Sequence, residues 1–268
     1  MSAFPNVWGP GALFAVSGYD IATDYANPFV GRLLDTETGV EIMCRDENAA
    51  DGLTPGFRFH VTSSAVSAAR YDREDSVVAG DWIRLVRGDA ELEVICVAHG
   101  IFVVRCRNMP DAVLHWQVLS CGLTCAVGAP RELSEAEQGA LLLNGERAES
   151  ALLLRYTDGR PVDLAPAADH ALHIADARRK AIIHFFEGHD PPHNLSALAR
   201  RTYAKAASIL KVNVESAQGK MSTRWTTPDR YPHRDMWIWD SAFHALGWQH
   251  VDGALAREAI RAVLGRTA

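Results

Sequence analysis

The apolar residues of this chain change their spacing at one place, Pro191-Pro192, and that change limits the fold more than any other feature. From Gly11 to about Glu187 the apolar runs are short, rich in β-branched and aromatic residues, and separated by turn residues, which is the pattern of strands. Phe57-Arg-Phe-His-Val61 alternates apolar and polar, as a half-buried strand must. Trp82-Ile-Arg-Leu-Val86 ends at Arg87-Gly-Asp89 and predicts a hairpin with Glu91–Val97. Ile101–Cys106, Val113–Leu119, Ala151–Tyr156 and Lys180–Phe186 read as further strands. Many strands at such short spacing predict an antiparallel β-sandwich. One segment, Ser134–Leu143, reads instead as a helix, with Ser134 and Glu137 spaced as a capping box.

Beyond Pro192 the period becomes 3.6. Asn194 or Ser196 can cap a helix running to about Leu210, with Leu195, Leu198, Ala199, Thr202 and Ala206 on one stripe. A loop containing Gly219, Pro228 and Pro232 follows. A second helix opens near Met236, where Trp239, Ala242, Phe243 and Leu246 fall at i, i+3, i+4 and i+7. After a turn ending at Asp252-Gly253, a third helix over Ala254–Leu264 is expected to bury Leu255, Ala259, Ala262 and Val263 and to expose Arg257, Glu258 and Arg261. Two domains are therefore expected, residues 1–190 and 191–268.

Composition narrows the function classes. Apolar residues make up 48% and charged residues 22% of the chain, so a packed core is expected rather than disorder. The formal charge of -6 argues against a nucleic-acid surface, since Ala177-Arg-Arg-Lys180 is too short to be a basic patch. The most apolar run, Val94–Val104, is broken by His99-Gly100 and too short to span a bilayer. Five cysteines with no framework of pairs fit buried thiols in a reducing compartment, and with no signal-peptide pattern at Met1-Ser-Ala-Phe the expectation is a cytoplasmic protein. Cys121 and Cys125 lack a second pair to complete a zinc site. Glu187-Gly-His-Asp-Pro-Pro-His193 reads as a polar linker, so no metal and no cofactor are expected.

The chemistry concentrates in Arg224-Trp-Thr-Thr-Pro-Asp-Arg-Tyr-Pro-His-Arg-Asp-Met-Trp-Ile-Trp-Asp-Ser-Ala-Phe-His244. Four of the seven tryptophans lie between Trp225 and Trp248, and Trp239 is followed directly by Asp240. An indole face beside a carboxylate suits a pyranose: the ring's C–H face packs on the aromatic while the carboxylate accepts hydrogen bonds from neighbouring hydroxyls. A core aromatic beside a carboxylate at a helix N-terminus is the structural alternative.

The helix ending at Leu210-Lys-Val-Asn213, then Gly219, Thr227-Pro228 and Trp237-Ile-Trp-Asp-Ser-Ala-Phe-His244, resembles the opening of an (α/α)6-barrel, or six-hairpin, glycosidase. It is most similar to glycoside hydrolase family 63 and the mannosylglycerate hydrolase-like enzymes, over roughly the last 75 residues. That resemblance implies a β-sandwich followed by the first helices of an incomplete (α/α)6 barrel. It implies that Trp239 walls the subsite of the sugar whose bond is cut and that Asp240 binds its hydroxyls. Phe243 and His244 follow on the same two stripes, and Arg224, Tyr231, His233 and Arg234 lie on the loop leading in. Relatives invert α-linked glucosides or mannosides with two carboxyl groups that lie downstream of this motif. The resemblance thus implies that the acid and base are missing here and that the chain is inactive alone. Self-association through the open barrel edge is expected. The alternative is a non-catalytic carbohydrate-binding or interaction fragment.

Overall fold

The computed structural model describes residues 13–15, 19–21, 30–33, 38–45, 53–64, 71–72, 75–98, 101–119, 122–127, 129–133, 138–142, 149–157, 170–189, 191–229, 233 and 235–265. The strands are β1 (Leu13–Ala15), β2 (Val30–Leu33), β3 (Thr38–Arg45), β4 (Leu53–Thr62), β5 (Val77–Val78), β6 (Trp82–Arg87), β7 (Ala90–Ala98), β8 (Ile101–Arg107), β9 (Val113–Val118), β10 (Gly122–Val127), β11 (Ala129–Leu133), β12 (Gln138–Leu142) and β13 (Glu149–Thr157), with a short later pair, β14 (Val214–Glu215) and β15 (Trp225–Thr226). The helices are α1 (Ala171–Gly188), α2 (Ala197–Val212), α3 (Ile238–Trp248) and α4 (Gly253–Val263).

The strands form a six-stranded sheet ordered β1-β2-β3-β4-β9-β12 and a seven-stranded sheet ordered β11-β10-β13-β8-β7-β6-β5. All their pairings are antiparallel. The sheets share one core, in which Phe57, Phe59 and Val61 of β4 meet Val94 of β7 and Val104 of β8. Arg58 points the other way and pairs with Glu41 across the strand, as the alternation of this segment predicts. The hairpin of β6 and β7 forms as expected: Arg87 pairs with Ala90, and Gly88 occupies the left-handed region at φ 58° that such a two-residue turn demands.

The seven-stranded sheet is covered on its second face too. Val77, Trp82, Ile95 and Val103 pack there against Ala175, Ile182 and Phe185 of α1, joined by Trp248 of α3 and Leu255 of α4. Double coverage explains the most apolar run of the chain: β7 and β8 are buried at nearly every position, whereas β9 alternates.

Two expectations are corrected. Lys180–Phe186 is the last part of helix α1, not a strand; Ala171, Ala175, Arg178, Ile182 and Phe185 recur at helical spacing and form its buried face. The Ile-Ile-His-Phe-Phe composition is strand-like only when read without the turns before it. The expected helix at Ser134–Leu143 is not formed over its second half, which is β12, paired with β9 from Gln138↔Gln117 to Leu142↔Val113. Pairing across a sheet overrides the helix preference of Ala-Leu-Leu there; Ser134–Glu137 lie outside the described residues. Cys96 and Cys106 are buried free thiols, each pushed up to about 12 by burial and so kept protonated. Cys121 lies outside the described residues.

Helix α2 starts where the sequence indicates: the Ser196 side chain accepts from the Ala199 N–H at 3.2 Å. Its buried face differs from the expected stripe. Leu198, Thr202 and Ala206 are exposed, while Ala204, Lys205, Ala207, Ser208, Lys211 and Val212 are buried. The polar members of that face grip the turn between β5 and β6. Lys205 Nζ donates to the Val78 carbonyl at 2.9 Å, and Gly80 N–H donates to Ser208 Oγ at 2.9 Å. Lys211 pairs with Asp81. These three side chains stand one turn apart, so a single helical edge holds one four-residue turn. From the other side Arg178 of α1 donates to Asp81, to both carboxylate oxygens of Asp20 and, through Nε, to the Cys96 carbonyl at 3.0 Å. Gly80 is required by contact: a Cβ there would lie 2.3 Å from Val212 Cγ1.

Candidate functional site

The loop before α3 is built from both of its neighbours. Val214 pairs with Thr226 and Glu215 with Trp225, setting the chain that leaves α2 beside the chain that enters α3. Thr227 N–H donates to the Asn213 carbonyl at 3.0 Å, and Asn213 Nδ2 donates to the Pro228 carbonyl at 2.9 Å. The Thr227 hydroxyl donates to the Asp229 carbonyl at 2.7 Å. Asp229 in turn accepts from the His233 N–H at 3.0 Å, and the His233 ring meets Trp237 edge-on at 5.9 Å. The Thr-Pro segment is therefore a fixed turn against the end of α2.

Helix α3 is seated by Ser241, Ala245 and Trp248. Trp248 is fully buried and stacks on Tyr19 at 5.1 Å, and Tyr19 also meets Phe185 edge-on. With that face inward, two stripes follow from helical spacing. Trp239 and Phe243 are 68% and 66% exposed, and Leu246 continues their row. Asp240 and His244 form a second, half-buried row one turn apart. Asp240 sits in the first turn, where the helix dipole favours a carboxylate. Burial pushes the His244 imidazole below its usual range, and the Asp240 carboxylate pulls it partly back up. Asp240 Oδ2 and His244 Nδ1 are both shielded, and neither has a hydrogen-bond partner among the described residues. Shielded polar atoms are normally satisfied, and on α3 these two atoms share that exception with Trp248 Nε1.

The structure thus brings Trp239, Asp240, Phe243 and His244 together as an exposed aromatic row beside a half-buried acid–imidazole row. Arg224 is placed differently. Its Nε and Nη2 donate to Glu258 of α4 at 2.9 and 3.0 Å, its backbone N–H reaches the same carboxylate at 3.3 Å, and Asp252 lies at 3.9 Å. The pairing raises the Arg224 pKa and lowers that of Glu258. Arg224 therefore ties the loop to α4. Glu258, half-buried by that contact, was expected to be exposed; only a partner 34 positions away explains it. Tyr231 and Arg234 lie outside the described residues.

His189 is engaged in packing contacts. Its ring nitrogens meet the Phe185 and Val251 carbonyls and stitch the end of α1 to the turn after α3. Among the described residues no group of three or more His, Cys, Asp or Glu is placed to hold a metal ion, and no helix is long and apolar enough to cross a membrane.

The described residues thus form antiparallel sheets with a helical layer on one face and carry a tryptophan–aspartate step on an exposed helix surface. No family model and no curated protein matches it. Among solved structures it is similar to the one titled "Structure of the gh92 family glycosyl hydrolase ccman5", with a TM-score of 0.47 and 11% identity. The match covers 96% of this chain and 47% of that one, so this chain spans about half that length. That protein belongs to a differently numbered glycosidase family from the one the Trp-Asp motif resembles.

Proposed function

We propose that this chain carries the sugar-holding part of an inverting glycoside hydrolase that acts on α-linked glucosides or mannosides in the cytoplasm. Residues 1–190 are then its sandwich domain and 191–268 the opening of a helical (α/α)6 domain of the family 63 type. The observation that carries this reading is the pairing on α3 of an exposed indole, Trp239, with a shielded carboxylate oxygen on Asp240 that has no donor among the described residues. A sugar supplies what both lack: an apolar C–H face for the ring and hydroxyl donors for the carboxylate. His244, kept neutral near pH 7 by burial, can exchange a hydrogen bond with the same hydroxyls without bringing a second charge. Phe243 extends the aromatic wall, and Arg224, Tyr231 and Arg234 are the further candidates for sugar contacts. Inverting hydrolysis needs an acid and a base on opposite sides of the sugar, and no residue of this chain is assigned to either role.

The test is titration of the chain with methyl α-mannoside and methyl α-glucoside, followed by tryptophan fluorescence and proton NMR. Weak, saturable binding is expected. Loss of a charge-assisted hydrogen bond of about 1.5–3 kcal/mol in Asp240→Asn should weaken it roughly 10- to 100-fold, with the far-ultraviolet dichroism unchanged. Trp239→Ala should abolish the fluorescence response. Absence of binding by either sugar would refute the reading. Hydrolysis by the chain itself that vanishes in Asp240→Asn would overturn the assignment of roles.

A further inference from the structure

The groove between α3 and α4 lies on the side of α3 away from Asp240 and His244, and of its lining only Leu246 borders the row of Trp239 and Phe243. It is an open groove of about 770 Å³, lined along two turns of each helix. Its floor is small: Ala242 and Ala245 on α3, and Ala256 on α4. Leu246 and Ile260 stand as apolar walls, 56% and 37% exposed. Arg257 and Arg261, both exposed, line its α4 edge, and among the described residues neither pairs with a carboxylate. An apolar groove with a small-residue floor between two helices is the receptor half of ridge-into-groove packing, in which a third helix can lie.

We propose that this groove binds an amphipathic helix of a partner polypeptide, one whose apolar stripe is flanked by carboxylates. The two arginines decide the chemistry. They stand one turn apart, about 6 Å, which is the spacing of two carboxylates at i and i+4 on a helix lying alongside. Arginine forks recognise such carboxylates with defined geometry. The chain as a whole is acidic, at -6, so a basic rim beside an apolar slot is a local departure that favours an acidic partner over a neutral one. Leu264, 64% exposed at the end of α4, lengthens the apolar surface available to it.

The test uses two fluorescently labelled synthetic helices of about five turns, identical in their leucine stripe, one flanked by Glu and one by Lys. Binding to the chain is read by anisotropy at low and high salt. The Glu-flanked helix should bind saturably, at least tenfold tighter than its Lys-flanked twin, with the difference shrinking as salt screens the rim. In Arg257→Glu/Arg261→Glu the preference should invert. Ala242→Trp, a change at an exposed position, should block both helices while leaving the thermal melt intact. Equal binding of the two helices, or none, would overturn the proposal. So would concentration-dependent self-association of the wild type that Ala242→Trp abolishes, because the occupant would then be a second copy.

Discussion

The turn at Asp81 joins the sandwich to helices α1 and α2, and its removal can be worked through in numbers. Asp81 is fully buried and accepts from two cations, Arg178 of α1 and Lys211 of α2, both of which also reach Asp20. Asp81→Asn keeps the size and one acceptor oxygen but removes the buried negative charge that Arg178 and Lys211 share. Breaking a buried pair in this way costs about 3–5 kcal/mol. For a chain of this size each kcal/mol lowers the melting temperature by about 2–4 °C, so the loss should be roughly 6–20 °C. Thermal and urea unfolding followed by circular dichroism measure it, and near-ultraviolet dichroism should show looser packing around Trp248. Removing one cation as well should return part of the loss: Asp81→Asn/Lys211→Met should be more stable than the sum of the two single changes by over about 1 kcal/mol. A loss of under about 0.5 kcal/mol in Asp81→Asn, or strict additivity in the double variant, would refute the idea that this cluster docks the helices on the sheet.

Two further outcomes follow from the same contact. Burial lowers the Lys205 pKa to about 8. The folded state therefore binds fewer protons than the unfolded one between about pH 8 and the ordinary lysine value, and stability contributed by this group rises with pH through that window. Relative to Lys205→Met, the wild type should gain about 2 kcal/mol between pH 7 and pH 10, and a difference that stays flat with pH would show that the ammonium is not desolvated. Gly80→Ala should cost about 1–3 kcal/mol, since the added methyl meets the stiff Val212 side chain at 2.3 Å; Val212→Ala in the same chain should relieve the overlap, and a melt unchanged by Gly80→Ala would count against the close approach.

What the sequence made legible depended on how locally each element is determined. The strand β4 and the hairpin of β6 and β7 were readable because alternation and a left-handed glycine act within a few residues. Helices α3 and α4 were readable in extent, and Leu255, Ala259 and Ala262 are buried as their spacing predicts, while Val263, expected with them, is half-buried. The face α2 buries was not readable. Lys205, Ser208 and Lys211 face inward because their partners, Val78, Gly80 and Asp81, lie about 130 residues earlier, and polar pairing at that range has no periodic signature. The pairing of Arg224 was unreadable for the same reason: nothing near it in the chain announces Glu258.

The apolar residues of α3 show why pattern alone misassigns burial while still finding function. Trp239, Phe243 and Leu246 form a helical stripe that pattern reading sends to a core, yet Ser241, Ala245 and Trp248 are the residues that seat the helix. The same spacing rule serves both faces, because a helix with large apolar residues on most of its surface has no single inside. Cross-strand and interlayer contacts choose, and here they choose the face with one tryptophan and small neighbours, which lets α3 approach closely. The indole and phenyl rings left outside are too large a surface for water to favour without an occupant. A carboxylate and an imidazole share the next stripe, which gives that occupant polar contacts on one side only. On this argument the exposed row and the shielded row are one site, and a variant that restores an ordinary surface at Trp239 should lose sugar binding while gaining solubility.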